Sequence, residues 1–205
     1  LDISPAFADD GLLFLRSEDN RLWRSRDGGD TWSPVDGPWG DGVARAVAPT
    51  GGYRLPAVTF SPAYAQDRTL FLEANNVLYR STDAGATWQK VLEPGPLTFR
   101  ATFSPDYARD GTILIQQGNR LYRSTDRGAS WQSLPAAPWQ PTDEIGLQLS
   151  PTFARDRTVL AWGLPGLIYG STDGGQSWQD LRAGLPVGGG GIRQVFFSPA
   201  YDEDG

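Results

Sequence analysis

One octapeptide pattern, Ser-x-Asp-x-Gly-x-(Ser/Thr)-Trp, runs through the chain four times, at 25–32, 81–88, 124–131 and 171–178. Its fixed residues are Ser25, Asp27, Gly29 and Trp32; Ser81, Asp83, Gly85 and Trp88; Ser124, Asp126, Gly128 and Trp131; and Ser171, Asp173, Gly175 and Trp178. A motif at a steady interval marks a chain built from one supersecondary unit stacked on copies of itself. A second pattern, Ser-Pro-x-(Phe/Tyr), keeps step with it from Ser4, Ser61, Ser104, Ser150 and Ser198, at intervals of 57, 43, 46 and 48 residues. The octapeptide aspartates follow at 56, 43 and 47, so the extra residues of the first interval fall near 33–56.

Each repeat reads as four short strands. Strand a ends at the Ser-Pro (58–61 and 101–104), and a tight turn through Asp67-Arg68, Asp110-Gly111 or Asp156-Arg157 follows. Strand b is rich in β-branched and aromatic residues (69–73, 112–116, 158–162). Asn75-Asn76 or Gly118-Asn119 turns it into strand c (77–81, 120–124, 167–171). The octapeptide closes the next hairpin, and its Trp opens strand d (88–91, 131–134). Four antiparallel strands at a period near 45 residues predict an all-β chain of β-propeller blades. The repeats fall at about 1–56, 57–98, 99–145 and 146–192, with a partial fifth at 193–205, in a single propeller domain or a fragment of one. The surplus strand a of the fifth repeat points to a larger propeller, or to an open edge that pairs with another copy. The chain contains no Met, which reads as a processed product or a piece of a longer protein.

The octapeptide is a turn device. Its Asp carboxylate accepts backbone N–H groups, Gly takes the positive φ of a tight turn, the hydroxyls bond across it, and Trp packs into the blade. A calcium loop is the rival reading, but one or two carboxylates per copy fall short of the oxygen ligands such a loop supplies. No metal and no cofactor is expected.

The repeat resembles the Asp-box, or bacterial neuraminidase repeat, over nearly the whole chain. Similar repeats occur in sialidases, xyloglucan-type glycoside hydrolases, sortilin ectodomains and a photosystem II assembly factor. The resemblance implies a propeller, and these families share that fold across unrelated tasks.

Composition narrows the chemistry. The 205 residues contain neither His nor Cys, which removes the commonest general base, the commonest metal ligand and all thiol chemistry. Net charge is −6, so a nucleic-acid partner is not expected. No apolar run reaches the length of a membrane span, and the chain reads without a signal peptide. Lys90 is the single lysine beside many arginines. Thiol-free composition and the habits of similar Asp-box proteins suggest an extracellular or periplasmic, secreted setting.

In a propeller the a–b turns and the octapeptides share one face, while the d–a and b–c connections share the other. The variable segments are d–a connections, at 34–56, 92–98, 135–145 and 182–192, and variable loops on a rigid scaffold are where binding resides. Trp39 and Trp139, each after a Pro, are candidates to stack on a sugar or anchor a protein; the alternative is that each lids the groove between blades. Arg54, Arg100 and Arg193 precede strands a and are candidates to bind a carboxylate at the channel mouth, or else to pair with acids such as Asp143 and Glu144. Gly188–Gly191 lacks the Lys and helix context of a phosphate loop and reads as a flexible connection. Tyr53-Arg54-Leu55-Pro56 resembles the (Phe/Tyr)-Arg-Ile-Pro motif of sialidases, whose Arg binds a carboxylate. The Tyr–Glu pair and acidic proton donor of a sialidase are not picked out by any motif.

Three functions remain open. The first is a non-catalytic scaffold that binds a protein or glycan partner through these loops. The second is a sialidase-like or xyloglucanase-like glycoside hydrolase using Asp41, Glu93, Asp143 or Glu144, which needs a carboxylate pair across a cleft. The third is a structural repeat of a larger surface protein.

Overall fold

The computed structural model describes residues 1–17, 21–39, 58–93, 100–143, 145–164, 166–185 and 192–204. The chain divides into two compact units, Leu1–Thr98 and Phe99–Gly205. Unit 1 holds two four-stranded antiparallel sheets. The first runs β1 (Asp2–Ile3), β2 (Leu13–Arg16), β3 (Leu22–Ser25) and β4 (Ser33–Pro34), with helix α1 (Phe7–Asp10) between β1 and β2. The second runs β5 (Thr59–Phe60), β6 (Leu70–Ala74), β7 (Val77–Ser81) and β8 (Gln89–Leu92), with α2 (Tyr64–Asp67). Unit 2 repeats the plan with β9 (Arg100–Phe103), β10 (Ile113–Gln117), β11 (Arg120–Ser124) and β12 (Gln132–Ser133), carrying α3 (Tyr107–Asp110). Its second sheet is β13 (Ile145–Leu149), β14 (Val159–Gly163), β15 (Leu167–Ser171) and β16 (Gln179–Asp180), carrying α4 (Phe153–Asp156). Among the described residues, strands pair only with their sequence neighbours, the meander of a propeller blade. The fold is that of a β-propeller, in four complete blades.

The inner strands of the blades do not keep strict alternation of buried and exposed residues. Leu70, Phe71, Leu72 and Ala74 of β6 are all buried, as are Ile113, Leu114 and Ile115 of β10. In unit 1 the core lies between the two blades: Phe14 of β2, fully buried, meets Phe60 of β5 at a centroid distance of 6.3 Å. Hydrogen bonds cross the same seam. Arg24 donates through Nη1 to the Gly85 carbonyl (2.7 Å), and Tyr64 Oη (3.2 Å) and Arg68 Nη1 (2.9 Å) both reach Asp10 Oδ2.

The predicted a–b tight turn is instead one turn of helix closed by a left-handed residue. Gly11, Arg68, Gly111 and Arg157 end α1 to α4 with φ of 55, 51, 60 and 56°. The Ser-Pro motif explains the difference. The buried hydroxyls of Ser4, Ser61, Ser104 and Ser150 each donate to the Asp six residues on, at 2.6–2.9 Å, spanning the helical turn. That Asp also receives the N–H two residues further on, from Leu12, Thr69, Thr112 or Thr158. A fifth such helix, α5 (Tyr201–Asp204), follows Ser198, with Phe197 edge-on to Tyr201 at 4.9 Å. Residues 195–199, expected as strand a of the partial repeat, form no ladder among the described residues.

The octapeptides have one architecture. In each, the buried Ser hydroxyl donates to Oδ1 of the Asp at 2.7–2.8 Å and accepts the Gly N–H at 2.8–2.9 Å. The Asp then takes the Ser/Thr N–H on Oδ1 and its hydroxyl on Oδ2. A further backbone bond ties each octapeptide to the a–b turn of its own blade: Gly28 to Gly11, Ala84 to Arg68, Arg127 to Gly111 and Gly174 to Arg157, at 2.9–3.2 Å. The two motifs therefore share one end of every blade, as the topology predicts. The d–a connections leave the other end.

Candidate functional site

The octapeptide carboxylates are fully engaged. Burial is the largest single influence on Asp83, Asp126 and Asp173 and pushes each up, yet hydrogen bonds from hydroxyls and backbone N–H groups together outweigh it. All three end below the ordinary carboxylate range, with Asp173 at about 2. Asp27 is lowered chiefly by the Thr31 hydroxyl, then by the Thr31 N–H and Ser25. Carboxylates held ionised by three donors, or four at Asp173, act as turn braces and make poor general acids. Among the described residues no three His, Cys, Asp or Glu side chains gather as a metal-binding group, and no helix is long and apolar enough to cross a membrane.

The loop end carries the sequence candidates. Trp39 leaves β4 and lies edge-on to Tyr79 (5.2 Å) and Trp88 (5.8 Å) of the next blade, half-buried, its ring folded back over Gly37. Trp139 leaves β12 and, in unit 2, lies edge-on to Trp178 (5.0 Å) and tilted against Tyr169 (6.0 Å), while its Nε1 donates to the Gly118 carbonyl at 2.9 Å. At 2% exposure Trp139 presents no open ring face, which corrects the expectation of an exposed anchor. The physical cause is the octapeptide Trp of the following blade, whose ring leaves an apolar notch that the connecting loop fills. Trp39 keeps part of its surface in solvent.

Arg193 is exposed, and its carbonyl accepts the Trp162 indole N–H at 3.1 Å. Trp162, which the sequence reading did not single out, is positioned by register: it stands opposite Gly146 on the neighbouring strand, where a Cβ would lie 2.7 Å from the indole. An aromatic facing a glycine across a ladder is the signal, and it is readable only once the strands are paired. Arg100 begins β9, but its side chain lies outside the described residues, as do Arg54, Glu144, Asp41 and Gly188–Gly191. Of the remaining acids on these connections, Glu93 is paired with Lys90 and Asp143 accepts the Gln140 N–H at 2.7 Å.

Comparison with known proteins fits this architecture. The model of the family described as Sortilin-Vps10, "Sortilin, neurotensin receptor 3", matches residues 75–189, more than half of the chain. A BNR/Asp-box repeat model matches 23–34, around the first octapeptide. No curated protein matches the sequence. Among solved structures, an ancestral GH74 enzyme is similar at 18% identity and a TM-score of 0.56, over 87% of this chain and 23% of that one. The GH74 enzyme of Niastella koreensis is similar at 21% identity and 0.53, over 80% and 22%. YCF48 bound to D1 peptide gives 14% identity and 0.49, over 88% and 55%. The chain thus spans under a quarter of the length of the GH74 chains, and at these identities the likeness is one of fold.

Proposed function

The chain belongs to the Sortilin-Vps10 family, and on that premise we propose that it is a non-catalytic propeller scaffold that recognises a protein or glycan partner through its d–a loops. The family description names a receptor, which supports a binding role. The observation that carries the reading is the state of the carboxylates. Those of the octapeptides brace turns through hydroxyl and backbone N–H donors; on the loops, Glu93 makes an exposed pair with Lys90 and Asp143 accepts the Gln140 N–H. Turn-bracing carboxylates are a poor basis for acid–base chemistry, whereas half-buried Trp39 on a rigid blade suits recognition. Proposed contacts are Trp39 and Arg54 in unit 1, and Arg100, Glu144 and Arg193 in unit 2. The repeats are proposed to serve as one propeller domain in an extracellular or periplasmic setting.

A glycan array and a peptide array probed with the chain test this. Binding should weaken at least about tenfold in Trp39→Ala or Arg193→Gln with the melting temperature of the arginine variant unchanged. Wild-type affinity in both variants would remove the proposed contacts. The second reading, a glycoside hydrolase, draws on the fold shared with GH74 enzymes and is distinguished by turnover.

A further inference from the structure

At the end of unit 2 opposite the loops, helices α3 and α4 stand on either side of an open groove of about 490 Å³. Its walls are Pro105, Asp106 and Arg109 from one blade and Pro151, Thr152 and Arg155 from the next. Arg109 and Arg155 occupy the same third position of their one-turn helices. That position is Asp9, Gln66 and Glu203 in the other repeats. The turn therefore accepts an acid or an amide as readily as a cation, and its geometry does not account for two arginines in succession.

The guanidinium groups are available. Arg109 and Arg155 have 85% and 72% of their side chains exposed, and their contacts, to Asp106 at 3.3 Å and Asp202 at 2.5 Å, are surface pairs that an incoming anion displaces at little cost. Arg127 adds a third cation on the α3 side, donating through Nη2 to the Ala108 carbonyl at 2.7 Å. It holds a φ of 59° at an octapeptide position where two other copies have glycine, Gly28 and Gly174. An Arg there is strained relative to Gly, so local backbone preference does not select it either.

A guanidinium fork receives a carboxylate through two parallel N–H bonds, and proline rings offer an apolar floor to an extended backbone. The chain as a whole carries a charge of −6, which repels an extended polyanion such as nucleic acid but leaves a local cationic groove open to short acidic segments. We infer that the α3–α4 groove binds an acidic segment of a partner protein, its Asp or Glu carboxylates received by Arg109 and Arg155. This site lies on the face opposite the loops and does not depend on the function proposed for them.

Fluorescence anisotropy of the chain with a labelled peptide of alternating glutamate and alanine, and with its glutamine counterpart, is the test. The glutamate peptide should bind and the glutamine peptide should not. Arg109→Gln and Arg155→Gln should each weaken binding roughly five- to tenfold, and the double variant on the order of fiftyfold. Arg182→Gln, whose guanidinium is held by Asp180, should bind as the wild type does. Circular dichroism melts report whether the variants stay folded; both groove arginines are exposed, so they should. Absence of binding to the glutamate peptide, equal binding of the two peptides, wild-type affinity in the double variant, or displacement by equimolar inorganic phosphate would each overturn the assignment.

Discussion

Replacing Ser81 by Ala removes one oxygen from the second octapeptide, and the structure allows its cost to be worked out. Ser81 is 2% exposed. Its hydroxyl accepts the Gly85 N–H at 2.9 Å and donates to Asp83 Oδ1 at 2.8 Å. Alanine leaves the Gly85 N–H buried without a partner, which costs about 1–3 kcal/mol. It also removes one charge-assisted bond to a carboxylate that is largely in solvent, worth about 1 kcal/mol after screening. The expected loss is about 2–4 kcal/mol. Thr87→Ala is the internal control, because its exposed hydroxyl reaches the same carboxylate at 2.6 Å while the residue-87 N–H bond survives the substitution. It should cost only about 0.5–1 kcal/mol. Urea unfolding followed by tryptophan fluorescence measures both, with the midpoint falling in proportion. If Ser81→Ala costs no more than Thr87→Ala, the buried hydroxyl is not the keystone of the turn and the reasoning fails.

Other outcomes follow from the same geometry. Gly85→Ala should destabilise by about 2–4 kcal/mol in the same unfolding assay, since φ is +76° and the new Cβ would lie 2.6 Å from the Phe14 ring; Gly184→Ala, at φ +84° with open space around it, should cost only about 1 kcal/mol. Trp139→Ala should cost about 3–5 kcal/mol and Trp39→Ala less, because only the first ring is fully buried, and thermal melts compare them. Asp27, Asp83, Asp126 and Asp173 have folded pKa values below their unfolded ones, so their stabilisation is complete above about pH 4 and is lost as pH falls through the folded values. Urea midpoints should be flat from neutrality to about pH 5, and the penalty of Asp173→Asn should shrink as pH approaches about 2.

The blades were legible because the octapeptide is a local device. Ser, Asp, Gly and Ser/Thr bond to one another within seven residues, so sequence alone specifies the hairpin, and predicted strands such as 77–81 coincide with β7. The Ser-Pro motif was legible as a marker but not as a shape, since the bond from Ser61 to Asp67 that makes the turn helical spans six residues and looks like two unrelated polar positions. The candidate site was less legible, for a different reason. Whether Trp139 is a lid or an anchor depends on Trp178 and Tyr169, brought to it only when the next blade packs. Trp162 acquires a role through the register that sets it against Gly146. Arg109 and Arg155 pass as ordinary surface residues until α3 and α4 line one groove.

Turnover is the most direct test of the central assignment, a propeller that binds without catalysing. The chain is incubated with a fluorogenic sialoside and with a xyloglucan oligosaccharide, and product release is followed against buffer. No release above buffer is expected from either substrate. Release that saturates with substrate and disappears in Glu93→Gln, Asp143→Asn or Glu144→Gln would show that the loop carboxylates do chemistry, and would replace the scaffold reading with a hydrolase.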